Sequence, residues 1–350
     1  MKATKLTLVA AGLFAVLAVP ATASDVSIYG RAHLSLDSLD NGVDSGTNVS
    51  SNSSRLGFKA NKKLDGGIEA FMQIEQNVRF DEGAGNWGSR DSFVGIKADF
   101  GQVRIGQFDT PLKAVRGKVD MFGDRMGDVR NLTRVQTTTT GATSVSTANI
   151  GNVFDERYKN GVHYQSPSMN NFTFDLHYTP HNDNNATVSN VRESTSMALT
   201  YDVKGFYAAI AYETFEGLNN LDPTALRAGV YYDLTSALRL AGLYQSASDI
   251  PGGDRNVYGL GASYKMGDYV LRGQYYVADD NDAKDSGASM LVIGADRNFG
   301  KDLVLYAAYG ITSNDDAARF GVSGGGRDTS LAAVQGKDAS GLSLGMMYNF

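Results

Sequence analysis

The 350 residues contain no cysteine, which rules out both a disulfide framework and a thiolate metal site. An excess of positive charge is also missing. The formal balance is −6, and setting aside Lys2 and Lys5 of the leader leaves 30 basic residues against 38 acidic ones, or −8. Nucleic acid, whose binding is driven by phosphate neutralisation, is therefore not an expected partner. Beyond the N-terminus no uninterrupted apolar stretch approaches the roughly 18 residues that a spanning helix needs. If the mature chain is in a membrane, helices do not put it there. Proline is scarce, 6 residues against 40 glycines, and 18 tyrosines accompany a single tryptophan. That balance suits many short strands joined by tight turns. Mean hydropathy is −0.25, the average expected of a barrel with one lipid face and one wet face.

The N-terminus has the parts of a secretory signal peptide in order. Lys2 and Lys5 precede an apolar run from Leu6 to Val19, and Pro20 and Ala21-Thr22-Ala23 follow, which predicts a leader over 1–23 and a mature domain over 24–350. From Asp25 onward the chain alternates with period two. Val26, Ile28, Leu34 and Leu36 share one parity, and Ser27, Arg31, His33 and Ser35 the other. The same two-faced pattern recurs in Leu56-x-Phe58-x-Ala60, Ile68 to Ile74, Val94 to Ala98 and Phe172 to Tyr178. It continues through Phe206 to Tyr212, Leu226 to Tyr232, Leu238 to Tyr244, Tyr258 to Tyr264, Leu303 to Tyr309 and Leu342 to Phe350. Sixteen strands are counted in all.

Connections alternate in length. Short ones fall at Leu64 to Gly67, Phe100-Gly101, Lys204-Gly205 and Met266 to Asp268. Long ones fall at Asp37 to Asn52, Phe80 to Gly88, Pro180 to Arg192, Asp279 to Gly287 and Thr312 to Lys337. An even strand number with short turns at one rim and long loops at the other predicts an all-β, 16-stranded antiparallel transmembrane β-barrel. Lipid offers the backbone no hydrogen-bond partner, so only a closed sheet could span with these strands. The pattern stops for one long interval, Thr110 to Asp155, rich in Asp, Arg, Ser and Thr. A loop of this length in a compact domain is functional or disordered; here it is expected to fold into the lumen as a constriction loop.

Competing readings are weaker. A soluble two-sheet sandwich would also alternate, but sixteen strands with one uniformly apolar face exceed a single sandwich core. Gly83-Ala84-Gly85-Asn86-Trp87-Gly88 fits G-x-G-x-x-G yet leads into a strand, not a helix. Asp279, Asp280, Asp282 and Asp285 resemble a calcium loop only loosely, lacking its Gly and terminal Glu. His33, His163, His177 and His181 form no spaced metal set, and no Gly-x-Ser-x-Gly elbow appears. Neither a cofactor nor an enzymatic activity is expected.

Several segments resemble the Gram-negative general porins of the neisserial and comamonad type. They are Asp25-Val26-Ser27-Ile28-Tyr29-Gly30, Ser54-Arg55-Leu56-Gly57-Phe58, Phe71-Met72-Gln73-Ile74-Glu75 and Ser92-Phe93-Val94-Gly95-Ile96. Phe100-Gly101-Gln102-Val103-Arg104-Ile105-Gly106 and Tyr164-Gln165-Ser166-Pro167 complete the set, and the terminal Tyr348-Asn349-Phe350 looks like the family's barrel-assembly signal. The resemblance implies a homotrimer in the outer membrane of a Gram-negative bacterium, set among lipid and lipopolysaccharide. It also implies recognition of Phe350 by the barrel-assembly machinery and passage of small hydrophilic solutes.

The resemblance further implies a constriction in which arginines face carboxylates. Its motifs place Arg55, Arg90 and Arg130 on the basic side, and Glu75 and Asp120 on the acidic side. Parity agrees for Arg55 and Glu75, whereas Arg90 shares parity with Val94 and Ile96 and needs a place outside the regular strand. Inward parity adds Arg31, Lys59, Arg104, Lys159, Arg227, Arg239 and Arg272, with Asp175 and Glu213 opposing. This basic majority predicts a mild anion preference. The enterobacterial Pro-Glu-Phe-Gly-Gly-Asp motif is absent, and Thr137 to Asn149 is an insertion without counterpart. A substrate-selective channel and a closed barrel serving surface binding or structure are the alternatives.

Overall fold

The period-two pattern closes on itself. In a computed structural model, described here for residues 25–83, 87–134, 153–180, 193–216, 221–328 and 330–350, the strands form one antiparallel sheet without an edge. The expected signal peptide, the Thr137 to Asn149 insertion, His181 and the centre of the Gly83 to Gly88 motif lie outside these residues. Seventeen strand segments, β1 (Asp25–Asp40) to β17 (Ala339–Asn349), make sixteen staves, because β2 (Ser45–Ser51) and β3 (Arg55–Lys63) both pair with β1. Residues 52–54 interrupt that second stave, and Ser53 there has φ of 53°. β1 also pairs with β17, from Arg31↔Asn349 to Asp40↔Ser340, and so closes the barrel. Phe350 extends the seam: Gly30 N donates to its carbonyl at 2.9 Å and its N donates back at 3.1 Å.

Short turns of two to six residues lie at one rim. At the other rim are loops L1 (41–44), L2 (78–91), L3 (110–156), L4 (180–193), L5 (216–223), L6 (249–254), L7 (279–287) and L8 (315–338). One expected long loop is corrected. Asp37 to Asn52 is mostly hairpin, since Asp37↔Asn48 and Asp40↔Ser45 are paired and only 41–44 turn. Asn41 Oδ1 fastens that turn by accepting from Val43 N and Asp44 N. Beyond the membrane both faces of a strand are wet, so the alternation that marks strands elsewhere disappears.

The burial pattern is inverted relative to a soluble protein. Outward residues such as Val94, Ile210, Leu260 and Leu344 are exposed, while inward Ser35, Ser196, Gln274 and Arg227 are buried. In water such an apolar band would be untenable; in lipid it is the favourable face. Rings gather at its borders: Phe172, Tyr201, Phe206 and Tyr232 follow one another around the short-turn rim with centroids 4.8, 6.0 and 6.3 Å apart.

The apolar core lies inside the barrel, beneath L3. Thr110 caps helix α1 (Pro111–Val119) by accepting from Lys113 N at 3.3 Å, and Pro111 suits the first helical position. Leu112, Val115 and Val119 then face the wall, followed by Met121, Phe122, Met126, Val129 and Leu132. Glycines in the wall make room for them. A Cβ built at Gly229 would stand 2.6 Å from Val115 Cγ1, and one at Gly294 would stand 2.9 Å from Phe122 Cε1. Reading glycine as a turn former therefore missed a second use, close approach of a loop to a strand.

Candidate functional site: the lumen constriction

L3 crosses the lumen and is held by buried ion pairs. Arg227, on β11 (Thr224–Asp233), makes two 2.7 Å bonds to Asp155 and donates to Leu112 O at 2.9 Å, tying both ends of L3 to one strand. Arg116 reaches Asp155 at 3.0 Å, Asp120 at 3.3 Å and Asp128 at 3.4 Å. Arg130 binds Asp128 at 2.6 Å and Asp124 at 2.5 Å, and also donates to Gly325 O of L8. L8 was not foreseen as an inward loop. Its Val322 O accepts from Gly127 N at 2.8 Å, Gly326 O accepts from Ser53 at 2.8 Å, and Arg327 pairs with Asp37 in complete burial.

What remains open beside L3 includes a cavity of about 400 Å³ bounded by the wall of β1, β3, β6 (Gly101–Asp109), β7 (Arg157–Gln165), β14 (Tyr269–Ala278) and β17. Nine cationic side chains line it: Arg31, Arg55, Arg90, Lys113, Arg116, Arg125, Arg130, Arg157 and Arg272. Three carboxylates share the lining, those of Asp109, Asp120 and Asp124. Five more hold the same cations, two of them, Glu75 and Asp91, from the lining of an adjoining cavity of about 480 Å³. Glu75 binds Arg90 at 2.6 Å and Arg55 at 3.7 Å; Asp91 binds Arg157 at 2.5 Å; Asp296 binds Arg125 at 2.6 Å and Arg272 at 3.0 Å. Asp128 and Asp155 do the same for Arg116. Nine cations against eight carboxylates leave the cluster near neutral, but its water-facing layer is cationic.

This arrangement redraws the expected two sides. Glu75 does not oppose the arginines; it sits among them, also accepting from Tyr29 Oη at 3.0 Å. The Asp120 side chain is shielded and accepts from Phe122 N and Val129 N, so it braces L3 at the edge of the opening. Arg130 braces it likewise. The carboxylate that L3 turns toward the wall is Asp124, held at φ 60° and 3.8 Å from Arg31. Arg90 lies outside the strand, as its parity required, with its N bonded to Glu75 O at 3.0 Å.

The other inward candidates scatter. Lys59 lies over the Tyr29 ring at 4.5 Å near the opening. Arg104 packs over Phe108 at 4.3 Å and donates to His163 Nδ1 at 3.0 Å. Arg239 pairs with Asp233 at 2.6 Å toward the short-turn end. Arg227 is a buried anchor. Arg157, absent from the motif-based set, bridges Asp91 and Asp109 at the opening; it stands at the L3 exit, just where the interrupted pattern resumes.

Protonation differs among the L3 groups. Burial, reinforced by the charge of Asp128, pushes the Asp120 carboxyl up to about 7. Burial brings Lys113 down to about 8, with Asp109 at 3.0 Å partly opposing. Asp124 is half-buried, which alone would raise its carboxyl, yet the Arg130 guanidinium holds it well below the usual range.

A barrel of sixteen staves narrowed by a salt-bridged inner loop can sort solutes by size and charge, and a sequence profile described as Gram-negative porin matches residues 7–317. The chain belongs to the Gram-negative porins. This porin is 27% identical over 329 residues to the major outer membrane protein P.IB of Neisseria sicca, covering 81% of this chain and 88% of that protein. Over 106 residues it is 33% identical to P.IB of Neisseria meningitidis serogroup B, covering 27% of this chain and 32% of that one. Its fold is similar to that of the anion-selective porin from Comamonas acidovorans. TM-score is 0.78 at 23% identity, with 94% of this chain and all of that one covered. The trimer form of OmpT from Vibrio cholerae gives 0.67 at 16% identity, covering 94% and 100%. The porin is an outer-membrane channel, not an enzyme.

Proposed function

We propose that the porin lets small hydrophilic solutes and ions diffuse passively through the L3 opening with a mild preference for anions. The observation that carries this reading is the cationic lining of the opening, nine cationic side chains against three carboxylates. Guanidinium keeps its charge at any relevant pH, and fixed charge at a narrow passage acts within the Debye length of about 8 Å at physiological salt. The net −8 of the mature chain resides largely outside that range. The near-neutral balance of the whole cluster keeps the preference mild. Arg31, Arg55, Arg90 and Arg157 are the residues proposed to set it, with Asp124 opposing.

In this reading the leader over 1–23 is removed, and the mature barrel forms a homotrimer through part of its apolar outer band. Its acidic outer loops meet lipopolysaccharide, and Phe350 serves assembly. The trimer form of OmpT supports the oligomer by likeness of fold.

The test is planar-bilayer conductance under a salt gradient. Unmodified protein should give steps in triplets and a reversal potential of anion sign. The variant Arg31→Gln/Arg55→Gln/Arg90→Gln removes three cations and unmasks Glu75, so its reversal potential should move to the cation side. An unchanged reversal potential refutes the assignment of the selectivity residues. Absence of conductance in both proteins refutes the open channel and leaves a closed barrel used for surface binding.

A further inference from the structure

We propose that the recess between residues 131–134 of L3 and loops L6, L7 and L8 is a binding subsite for small organic monoanions with an aromatic body. It goes beyond the channel reading and rests on it only for solute access from the loop side. The recess measures about 220 Å³. Ligand pockets commonly run from about 300 Å³ upward, so this one has room for a single ring and its carboxylate. Its apolar surface comes from Ile250, Val257 and Phe320, the last two on the wall and on L8.

Its charge is what distinguishes it. Arg134, Arg255 and Arg319 line it, and among the described residues no carboxylate does. Every arginine around the main opening has a carboxylate within 4 Å, whereas Arg255 and Arg319 have none among the described residues. Among the described residues Arg255 donates only to backbone carbonyls, Asp279 O at 3.2 Å and Ser286 O at 3.4 Å, and its guanidinium lies over Phe320 at 5.0 Å. Arg319 donates to Ala333 O at 2.8 Å. Asp280, the acidic neighbour felt by Arg255, is occupied as acceptor for Ser286 N and Gly287 N and does not line the recess. Arg134 pairs with Glu156 at 2.8 Å, but its Nε is buried without a partner.

Two guanidiniums without an ion pair among the described residues, over an apolar floor, match a carboxylate joined to a flat ring. The planar fork donates to the carboxylate and the ring packs on Phe320. A free inorganic anion would satisfy the charge and leave the apolar surface wet; a neutral ring would leave the guanidiniums unpaired. The geometry thus favours the combination over either part.

Calorimetric titration of the intact, detergent-solubilised protein with benzoate, at low chloride, tests this directly, with benzamide as the neutral isostere. Benzoate should give saturable heat and benzamide none. Arg255→Gln and Arg319→Gln should each weaken benzoate by about tenfold or more, the equivalent of one lost charge-assisted pair, while retaining the β-sheet circular dichroism of the unmodified protein. Phe320→Ala, which leaves every charge in place, should weaken it as well. Arg55→Gln should leave it within about twofold, since that residue belongs to the main opening. No saturable benzoate heat, equal binding by Arg255→Gln, or equal binding by benzamide overturns the proposal. Loss of binding in Arg55→Gln moves the site to the main opening and overturns it too. Potassium chloride conductance of the same preparation reports separately on the channel.

Discussion

Replacing Arg227 by methionine removes the anchor that holds both ends of L3, and its cost can be worked from the contacts. The guanidinium and the Asp155 carboxylate are both fully shielded from solvent. Their two 2.7 Å bonds are lost, together with those to Leu112 O and Gln245. Asp155 keeps Arg116 at 3.0 Å and Thr133 at 2.7 Å, but a buried carboxylate stripped of its main partner costs about 3–5 kcal/mol. The chain also has reason to relax there. Phe154 and Asp155 sit at φ of 64° and 54°, conformations worth about 1–3 kcal/mol each that persist only while packing enforces them. The strand ladder of β10 (Phe206–Phe215), β11 and β12 (Leu238–Ser248) does not depend on the lost bonds, so the barrel should stay intact. Local opening of L3 should become easier by about 3 kcal/mol, on the order of a 100-fold rise in the open population. Trypsin cleavage within 110–134 reads that population, and single-channel noise reads its effect on the opening. Arg227→Met/Asp155→Asn, which removes the stranded charge, should recover much of the protection. Cleavage of Arg227→Met within about twofold of the unmodified rate would refute the anchoring argument, because it bounds the contribution near 0.4 kcal/mol.

Three further outcomes are expected. Because burial lowers Lys113 to about 8, raising the pH through that value removes one cation from the opening well before an ordinary lysine would titrate. The anion reversal potential should shrink between pH 7 and pH 9, and shrink less in Lys113→Gln, where of these two groups only Asp120, at about 7, still titrates. Gly229→Leu places a side chain where Val115 already stands 2.6 Å from the new Cβ; overpacking of about 1–3 kcal/mol should push α1 into the lumen and lower conductance, with the barrel still folded. Deleting Phe350 removes the two seam bonds to Gly30, worth about 1 kcal/mol each, so urea unfolding of refolded protein should shift only modestly. Outer-membrane yield in cells should fall much further, and equal losses in the two assays would mean that Phe350 acts in closure alone.

Much of the barrel was legible because lipid and lumen impose period two on every spanning strand. Val94, Ile105 and Leu260 announce the outer face; Arg55 and Glu75, one parity away, announce the inner one. The hairpin of Asp37 to Asn52 was hidden where that constraint lapses above the membrane. Within the site, parity shows that a side chain points inward but not what it meets. Arg55 and Glu75 have the same signature whether they confront each other across water or pair on one wall, and the structure shows the pairing. Asp120 and Asp124 are four residues apart in one loop; one is buried as a brace and the other faces Arg31, a difference made by the turn through φ 60°.

By itself the sequence determined that this chain spans as a closed sheet, which residues face lipid, and that one long charged segment interrupts the pattern. Those are one-dimensional facts, written in alternation and spacing. Only the tertiary structure decided which charges neutralise one another, since ion pairs such as Arg227 with Asp155 and Arg327 with Asp37 join residues far apart in the chain. It also decided that wall glycines seat L3 and that L8 folds in beside it. Burial makes these choices binding: a charge taken out of water must find a partner, and which partner is near depends on how the loops cross the lumen.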